Sequence, residues 1–379
     1  MKIKKILIVI FLVALIIIPV CVFAQEEYSE EEYNQTLEQF DLSFLEELNE
    51  DTYNVLDELG LTDFDYKRII DFSFADVVDY LKEMIADGVK KPLYSCGVIL
   101  LIIILSSFFQ GFRESVNSSE MISLLSTVSA LVIAVLLVSQ LKYSISSACA
   151  AISVCADFIF AFVPAFCIIV AASGNTITAF STNTLLLSLA QALNFISKNI
   201  FLPLSNCFLA IGICSGIRSE LNLQQLIYNL KKYLTTAISV FATAFVSILS
   251  IKTAVSARAD AIGLRSIRFA INSVVPVIGG AISEGLLSIQ AYSSLIKSSV
   301  GIVGIIAVLT VFVSPILNVS FWRLFLSLCR TVSDVFNDRS VSSVLKAFED
   351  SLLIMNVILI LSMVTTIISI GILIAARGS

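Results

Sequence analysis

Two ionisable side chains inside apolar stretches are the first candidates for chemistry in this sequence. Asp157 lies within the apolar stretch 145–172, and Glu284 lies within the apolar stretch that begins after residue 269. Ionisable residues in membrane segments are commonly functional, because an unpaired charge in hydrocarbon is costly. The alternative is a structural ion pair near the membrane surface. Just before Glu284, residues 252–268 hold four basic side chains and one acidic side chain: Lys252, Arg258, Arg265, Arg268 and Asp260.

Arg265, Arg268 and Glu284 form the core of a predicted functional cluster. The two arginines are three residues apart, so a helix would present both on one side. Pro276 and Gly279 then interrupt the next segment and leave backbone groups that need partners. Glu284 follows within about two turns and is placed to accept hydrogen bonds from a guanidinium. The alternative is that the arginines only anchor to lipid headgroups, where lysine would serve equally well.

Residue types exclude many other kinds of site. No histidine occurs among the 379 residues, which removes the usual general base and the most common zinc and haem ligands. The eight cysteines form no C-x-x-C pair and are expected to fill space in helices. Walker A, Rossmann, H-E-x-x-H and G-x-S-x-G motifs are absent. We therefore predict a non-enzymatic protein with no catalytic, cofactor-binding or metal-binding residue and no cofactor.

The elements that must position these side chains are membrane helices. The chain is 57% hydrophobic and only 14% charged, whereas soluble domains carry about a quarter charged residues. We predict an all-α, polytopic membrane protein of about seven spans, with six or eight possible. The predicted spans are 93–109, 121–141, 145–172, 233–251, 300–317 and 357–376. Residues 184–196 and 200–217 are apolar with Lys198 between them, and they form either two short half-spans or one span plus a surface piece.

Three connecting segments between the spans carry specific expectations. Residues 222–234 have leucines on one face and Lys231 and Lys232 on the other, which is typical of a helix in the membrane interface. Residues 321–328 are apolar but short. Residues 330–350 are mixed in charge, and we predict an exposed loop with helical character there.

The N-terminal quarter differs from the rest of the chain. Residues 1–24 have three lysines, an apolar run of 13 residues and Val22-Phe23-Ala24, a pattern typical of a cleaved signal peptide; an uncleaved anchor is the alternative. Residues 25–91 hold 20 acidic and 5 basic residues, a net charge of −15, and form a predicted acidic, helical, extracytoplasmic region. It is either a solvated spacer or a docking surface. Residues 92–379 form the predicted membrane domain.

The predicted topology conflicts with the distribution of basic residues. Lys90 and Lys91 flank the first span on the side that the signal peptide places outside, against the positive-inside rule. The basic segments 218–232 and 252–268 are separated by one predicted span, so both cannot be cytoplasmic without a re-entrant element. We give the signal peptide precedence.

Two interrupted segments indicate an alternative function. Residues 162–175 and 274–285 each combine an apolar run with proline and glycine. Paired broken spans are typical of secondary transporters built from repeats, although two short matches also arise by chance. The alternative function is therefore a free-standing secondary transporter of a small solute.

The central stretch resembles a known family. Residues 263–269 read G-L-R-S-I-R-F, residues 275–279 read V-P-V-I-G, and Glu284 follows. This combination is similar to the stage III sporulation protein AE family of endospore-forming bacteria. The order of signal peptide, acidic segment and polytopic membrane part also resembles that family.

The resemblance implies a role in sporulation. The chain would be a multi-pass protein of the mother-cell membrane around the forespore and a subunit of a trans-envelope channel or feeding-tube complex. That complex would be required for late forespore gene expression. Partners would be other stage III sporulation membrane proteins, including ring-forming and ATPase components, together with the lipid bilayer and no nucleic acid. The resemblance carries over no catalytic residue.

Overall fold

A computed structural model describes residues 30–40, 42, 50–58, 61–62, 74–111, 119–201, 203–204, 207, 210–211, 214, 223–274 and 279–375. These residues form helices and contain no strand, which confirms the all-α class. In chain order the helices are α1 (Glu30–Leu37), α2 (Glu50–Glu58), α3 (Phe74–Gly111), α4 (Ser119–Ala172), α5 (Thr176–Phe195), α6 (Leu223–Val274), α7 (Gly279–Val335) and α8 (Arg339–Ala375). A π-helical segment, Ile196–Phe201, continues α5.

Five of the described helices are long and apolar enough to cross a membrane. They contain the segments Gly88–Phe108, Ser126–Ala172, Tyr228–Ile267, Leu287–Val335 and Arg339–Ala375. The membrane character of the chain is therefore confirmed. The described residues contain five candidate spans, whereas the sequence predicts about seven. Residues 200–217, predicted to contribute to one further span, lie largely outside the described residues.

Several predicted boundaries differ from the structure because long helices run through them. Helix α4 joins the predicted spans 121–141 and 145–172, since the three residues between them include neither proline nor glycine. Helix α7 likewise includes both 300–317 and 321–328. Helix α3 crosses the predicted domain boundary between residues 91 and 92. The predicted interfacial helix is the beginning of α6 from Leu223 onward.

Residues 330–350 are mostly helical and not an exposed loop. Helix α7 ends at Val335, and α8 begins at Arg339 after a turn of three residues. Asn337 in this turn has φ +57°, a left-handed conformation that asparagine tolerates better than most residues. Its amide donates to the carbonyl of Asp334 (3.1 Å), and the next amide donates to the carbonyl of Ser333 (3.1 Å). Backbone hydrogen bonds of this kind close a helix end without a long loop.

Hydrogen bonds between distant residues fix the helix directions around α7. Helix α8 runs antiparallel to α7, as the Asn356 to Ser320 hydrogen bond (2.7 Å) requires. Helix α4 is also antiparallel to α7, because Ser144 donates to Asn318 (3.4 Å), whereas Phe162, later in α4, meets Gly304, earlier in α7. Helix α7 lies at the centre of the packed helices, and both α4 and α8 run antiparallel to it.

Helix α3 packs against α7 in parallel. The sulfur atoms of Cys96 and Cys329 are 3.1 Å apart, and further along Ser106 donates to Asp338 (3.3 Å). The sequence separations are 233 and 232 residues, so the two helices advance together in the same direction. Only a parallel pair keeps such a constant separation.

Two glycines allow the central helices to approach closely. A Cβ atom at Gly301 would lie 2.4 Å from the side chain of Ile374 on α8. At Gly304 it would lie 2.5 Å from the ring of Phe162 on α4. Both glycines are buried. Small residues at such crossings permit the close backbone contact on which helix association in membranes depends.

The short N-terminal helices α1 and α2 pack against α7. Tyr33 and Leu56 are fully buried, as is Leu61 after α2. This part of the acidic N-terminal region therefore contributes apolar side chains to the same core as the long helices.

Helix lengths exceed the thickness of a bilayer. Helices α4, α6 and α7 contain 54, 52 and 57 residues, which corresponds to about 80 Å each at 1.5 Å per residue. The hydrocarbon core of a bilayer is about 30 Å thick. Each of these helices must therefore extend beyond the hydrocarbon core, tilt or bend.

Candidate functional site

A break between two helices forms one end of the candidate site. Helix α4 ends at Ala172, and the amides of Ser173, Gly174 and Asn175 donate to carbonyls of its last turn at 3.0, 3.0 and 3.2 Å. Gly174 has φ +89°, which only glycine adopts at little cost. The predicted end of the span 145–172 is therefore confirmed, and α5 begins directly after this turn.

The amino end of α5 is capped by a side chain from α6. Asp260 Oδ1 accepts a hydrogen bond from the amide of Ile177 (2.7 Å), and Oδ2 accepts one from the amide of Thr178 (2.9 Å). Asp260 is only 4% exposed. Asn175, the residue at the usual capping position, makes no capping hydrogen bond with its side chain. A carboxylate satisfies these amides and also complements the positive end of the helix dipole.

A line of small polar side chains continues from this cap. Ser181 and Ser256 have their hydroxyl oxygens 3.0 Å apart. Because Thr178, earlier in α5, meets Asp260, later in α6, the two helices run antiparallel. On α6, residues 253, 256 and 260 follow the spacing of one helix face, and all three are buried. Thr178 and Thr182 on α5 are fully buried. We call these residues the polar seam: Thr178, Ser181, Thr182, Thr253, Ser256 and Asp260.

The polar seam lies on the inner side of α6, and its outer side carries apolar side chains interleaved with the exposed Arg258 and Arg265. Ile251, Val255, Ile262 and Phe269 share the outer side and are 64–76% exposed. Across the segment Tyr228–Ile267, only 6% of the most apolar window is buried. The inner face of this part of α6 therefore lines a polar interior. On the outer face the mixture of apolar and arginine side chains is typical of a membrane interface, where arginines reach the headgroups.

Several oxygen atoms near the polar seam have no hydrogen-bond partner among the described residues. They are the hydroxyls of Thr178, Thr182 and Thr253 and the side-chain carbonyl oxygen of Asn175. All four residues are at most 5% exposed. A buried polar atom without a partner costs free energy. The seam is therefore rich in oxygen acceptors that the protein itself does not use.

The predicted cluster is placed on two successive helices. Arg265 and Arg268 belong to α6, and Glu284 belongs to α7, whose first residue is Gly279. Arg265 is exposed. Pro276 lies outside the described residues, as do the side chains of Arg268 and Glu284. The shared helix of the two arginines matches the prediction, and the predicted pairing with Glu284 stays a prediction.

Asp157, the other predicted candidate, lies on α4 and is exposed. It does not face the polar interior formed by the seam. Among the described residues, no three His, Cys, Asp or Glu side chains come together as ligands for a metal ion.

A second polar group ties three helices together at the turn between α7 and α8. Asp338 is only 3% exposed and precedes α8, where its carboxylate accepts from the amide of Val341 (3.2 Å). The same carboxylate accepts from Ser106 of α3 (3.3 Å) and Ser126 of α4 (2.5 Å). Asp338 is thus both a helix cap and a cross-link between helices.

Ion pairs reinforce the same end of the molecule. Arg330 of α7 donates to Glu349 of α8 (2.7 Å), and Glu349 is almost fully buried. Lys231 of α6 pairs with Asp350 of α8 (2.6 Å). One pair joins α7 to α8 and the other joins α6 to α8, so a structural role accounts for these charges.

Sequence reasoning did not single out Asp260 or Asp338 as site residues. Asp338 carries a local signal, since an Asp before an apolar-periodic segment marks a helix start. Asp260 carries a weaker one, because it is the only acidic residue in the basic stretch. Its partners, the amides of Ile177 and Thr178, lie 83 and 82 residues away, so no local pattern could identify them.

Comparison with known proteins agrees with the resemblance of the central stretch. The family model for stage III sporulation protein AE matches residues 62–377. Stage III sporulation protein AE of Bacillus subtilis (strain 168) is 25% identical over 223 residues, which is 59% of this chain and 56% of that protein. The match thus spans little more than half the length of the relative. No solved structure matches the chain. Because the family match covers most of its length, including the polar seam and the central stretch, this chain belongs to the stage III sporulation protein AE family.

Proposed function

We propose that this chain is a non-enzymatic, integral membrane subunit of a sporulation channel or feeding-tube complex that links mother cell and forespore. In this proposal the complex is required for late forespore gene expression, and the chain resides in the mother-cell membrane around the forespore. The observation that carries the proposal is the family match over residues 62–377. The five long apolar helices support an integral subunit.

The nearly uncovered outer face of α6 supports a place within an assembly. The other long helices of the central group, α4, α7 and α8, bury 56–61% of their most apolar windows, compared with 6% for α6. A helix whose most apolar part is so little buried within its own chain has a large surface for lipid or for neighbouring subunits. We propose that ring-forming and ATPase components of the sporulation complex are among the partners of the chain.

The proposed topology starts from a signal peptide that is cleaved after Ala24, with residues 25–91 outside the cytoplasm. Helix α3 then enters from outside, and the observed alternation of directions from α4 to α8 follows. Helix α5, with 20 residues, is long enough to be a crossing in addition to the five described. Six crossings result among the described residues, the lower limit of the predicted range. Arg330 and Lys231 would lie toward the cytoplasm, as the positive-inside rule favours.

Co-purification from sporulating cells tests the proposed assembly. The full chain carrying an affinity tag should bring down other stage III sporulation proteins from detergent-solubilised membranes at the stage of engulfment. An unrelated multi-pass protein with the same tag is the control. Recovery of the chain alone, in a detergent that keeps other membrane complexes intact, would count against a subunit role.

Cysteine labelling tests the proposed topology. On a background without native cysteines, Ser29→Cys should react with a membrane-impermeant maleimide in protoplasts of vegetative cells that express the full chain, where the extracytoplasmic side of the cell membrane faces the medium. Asn337→Cys is the matched control, because Asn337 is exposed at the turn assigned to the cytoplasm and should react only after permeabilisation. The opposite labelling pattern would invert the topology.

The alternative function, a secondary transporter that acts alone, is favoured by one observation. The polar seam lies beside the break between α4 and α5, and broken helices with polar surroundings are common at transport sites. Reconstitution of the purified chain into liposomes separates the two functions, because a transporter moves solute without partners and a complex subunit does not.

The predicted cluster is part of the proposal as a functional element. Sporulation efficiency of strains with Arg265→Lys, Arg268→Lys or Glu284→Gln, at normal protein levels, tests it. A defect in Arg268→Lys and Glu284→Gln would support the pairing. Because Arg265 is exposed, a normal phenotype for Arg265→Lys alone is compatible with the pairing, whereas wild-type sporulation in all three strains excludes it.

A further inference from the structure

Two cysteines on neighbouring helices face each other in the core. The sulfur atoms of Cys96 on α3 and Cys329 on α7 are 3.1 Å apart, about 1 Å more than the length of a disulfide bond. Each sulfur also lies against the backbone of the opposite helix. Cys329 Sγ is 3.8 Å from the carbonyl oxygen of Cys96, and Cys96 Sγ is 3.9 Å from that of Phe325. Both side chains therefore fill the gap between the same two backbones.

Contacts on either side of this pair hold the two helices in register. Before the pair, the ring of Phe321 on α7 lies 3.5 Å from the position of a Cβ atom at Gly88 on α3. Cys96 follows Gly88 by eight residues, and Cys329 follows Phe321 by eight residues. After the pair, Ser106 of α3 donates to the carboxylate that follows α7 (3.3 Å). A bond between the two sulfurs thus requires a small rotation of the side chains and no shift of either helix.

Two other uses of a buried thiol pair have to be weighed. A structural zinc ion takes four ligands, and among the described residues no group of three His, Cys, Asp or Glu side chains comes together. Two reduced thiols can also remain in contact through a weak S–H···S hydrogen bond. The pair is therefore either two reduced thiols or a disulfide, and the two states differ in what a thiol reagent can modify.

The position of the pair along α3 places it near the outer end of this helix in the proposed topology. Cys96 follows Lys91 by five residues, which is about 7.5 Å along a helix. Lys91 and Tyr94 are both exposed, as expected for residues at the membrane surface. Disulfides form and persist on the extracytoplasmic side of a bacterial membrane.

We propose that Cys96 and Cys329 form a disulfide that joins α3 covalently to α7, and that a thiol–disulfide oxidoreductase on the extracytoplasmic side introduces it. The thiolate of Cys96 attacks the disulfide of the oxidoreductase, forms a mixed disulfide and releases one thiol of that enzyme. The thiolate of Cys329 then attacks Cys96 Sγ and releases the second thiol. Two electrons and the two thiol protons pass to the oxidoreductase. The choice of oxidant rests on the proposed topology, whereas the pairing itself rests on the contacts between α3 and α7.

Oxidation begins before the two helices pack together. In the folded chain Cys96 is 6% exposed and Cys329 is fully buried, so the folded pair is closed to a second protein. Helix α3 precedes α7 by more than 150 residues and enters the membrane first. Cys96 therefore reacts with the oxidoreductase while its partner is absent, and the packing of α7 brings Cys329 to the mixed disulfide.

Differential alkylation of the full chain in sporulating cells tests the proposal. Cells are lysed directly into denaturing detergent with N-ethylmaleimide, which blocks every free thiol and prevents later oxidation. The tagged chain is then purified, reduced and treated with iodoacetamide, and each cysteine is read by mass spectrometry. We expect Cys96 and Cys329 to carry the iodoacetamide label, and the unreduced digest to contain the two joined peptides. Cys155 is the matched control, because it is fully buried beside the hydroxyl of Thr366 (4.0 Å) and should carry N-ethylmaleimide.

Serine variants show whether the two cysteines pair with each other. In Cys96→Ser the thiol of Cys329 has lost its partner and should carry N-ethylmaleimide, and Cys329→Ser should free Cys96 in the same way. Wild-type chains with N-ethylmaleimide on both cysteines would overturn the proposal, as would a Cys329 that stays protected in Cys96→Ser. If both thiols are reduced while residue 29 is labelled from outside, the disulfide is excluded and the proposed topology stands.

Discussion

The ring of Phe162 on α4 occupies the space that a side chain at Gly304 of α7 would need. A Cβ atom at Gly304 would lie 2.5 Å from Cζ of Phe162. Phe162 is fully buried and stacks between Phe158 and Phe166, with ring centroids 5.0 Å apart in both pairs. The ring therefore has little room to move away.

We expect Gly304→Ala to destabilise the protein by about 1–3 kcal/mol, the usual range for an overpacked core. Thermal unfolding of the purified chain in detergent measures the effect. Gly371→Ala is the control, because a Cβ atom there would meet nothing within 4 Å. The double variant with Phe162→Leu should recover part of the loss, since the two positions are in direct contact. Additive losses in the double variant would contradict the proposed clash.

Substitution by alanine is expected to lower the stability of the protein at Gly174 and to raise it at Gly97. Gly174 has φ +89°, and a Cβ atom there would lie 3.0 Å from Leu264, so Gly174→Ala should cost about 1–3 kcal/mol. Gly97 lies within helix α3, and a Cβ atom there would meet nothing within 4 Å. Gly97→Ala should therefore stabilise the helix by about 0.5–1 kcal/mol. Unfolding temperatures that shift in the same direction would contradict this account of the turn.

Loss of the carboxylate at residue 260 should weaken the contact between α5 and α6. The asparagine side chain in Asp260→Asn has one acceptor oxygen for the two backbone amides of α5. Its NH₂ group is a donor and would face the N–H of the other amide. We expect a loss of about 1–3 kcal/mol, combining a lost cap with an unsatisfied buried donor. Limited proteolysis and thermal unfolding report the change.

Asp157→Asn is the matched control for this variant. It makes the same chemical change at an exposed position of α4, and its unfolding temperature should match that of the wild type. Equal destabilisation by both substitutions would show that burial and the two amide contacts do not explain the effect at position 260.

The antiparallel register of α5 and α6 can be tested by cross-linking. The hydroxyl oxygens of Ser181 and Ser256 are 3.0 Å apart, a separation that brings the Cβ atoms near the range of a disulfide. On a background without native cysteines, Ser181→Cys with Ser256→Cys should form an intramolecular disulfide under mild oxidation, detected by gel mobility with and without reductant. Ser181→Cys with Ser239→Cys should not, because residue 239 lies about 25 Å further along α6.

The sequence contains the signals for the class of fold and for most of the helix ends. Apolar runs such as those in α4 and α8 leave few alternatives to membrane helices, and Ser173-Gly174-Asn175 stops α4 where glycine permits a left-handed turn. The number of helices was harder to predict. Lys142 between two apolar runs suggests a boundary, but a lysine at the surface of a helix does not break it.

The candidate site was only partly predictable, since its groups come together through packing between distant segments. Arg265 and Arg268 were recognised by local spacing, and they do share a helix. Asp260 acquires its role only when α6 lies antiparallel to α5, because its partners are backbone amides that carry no side-chain signal. Sequence patterns report periodicity within one helix, and they do not report which helix face meets which neighbour.

The parallel register of α3 and α7 has a consequence for biosynthesis. Cys96 and Cys329 are in contact although 233 residues separate them in the sequence. Helix α3 is therefore synthesised well before its packing partner α7. At about 5–20 residues per second, that delay is on the order of 10–50 s. During this interval α3 lies in the bilayer with Cys96, Ile99 and Ile103, its buried face, covered by lipid or by a chaperone. A chain truncated before residue 329 should therefore expose α3 to membrane quality-control proteases. Only the complete chain would then escape degradation.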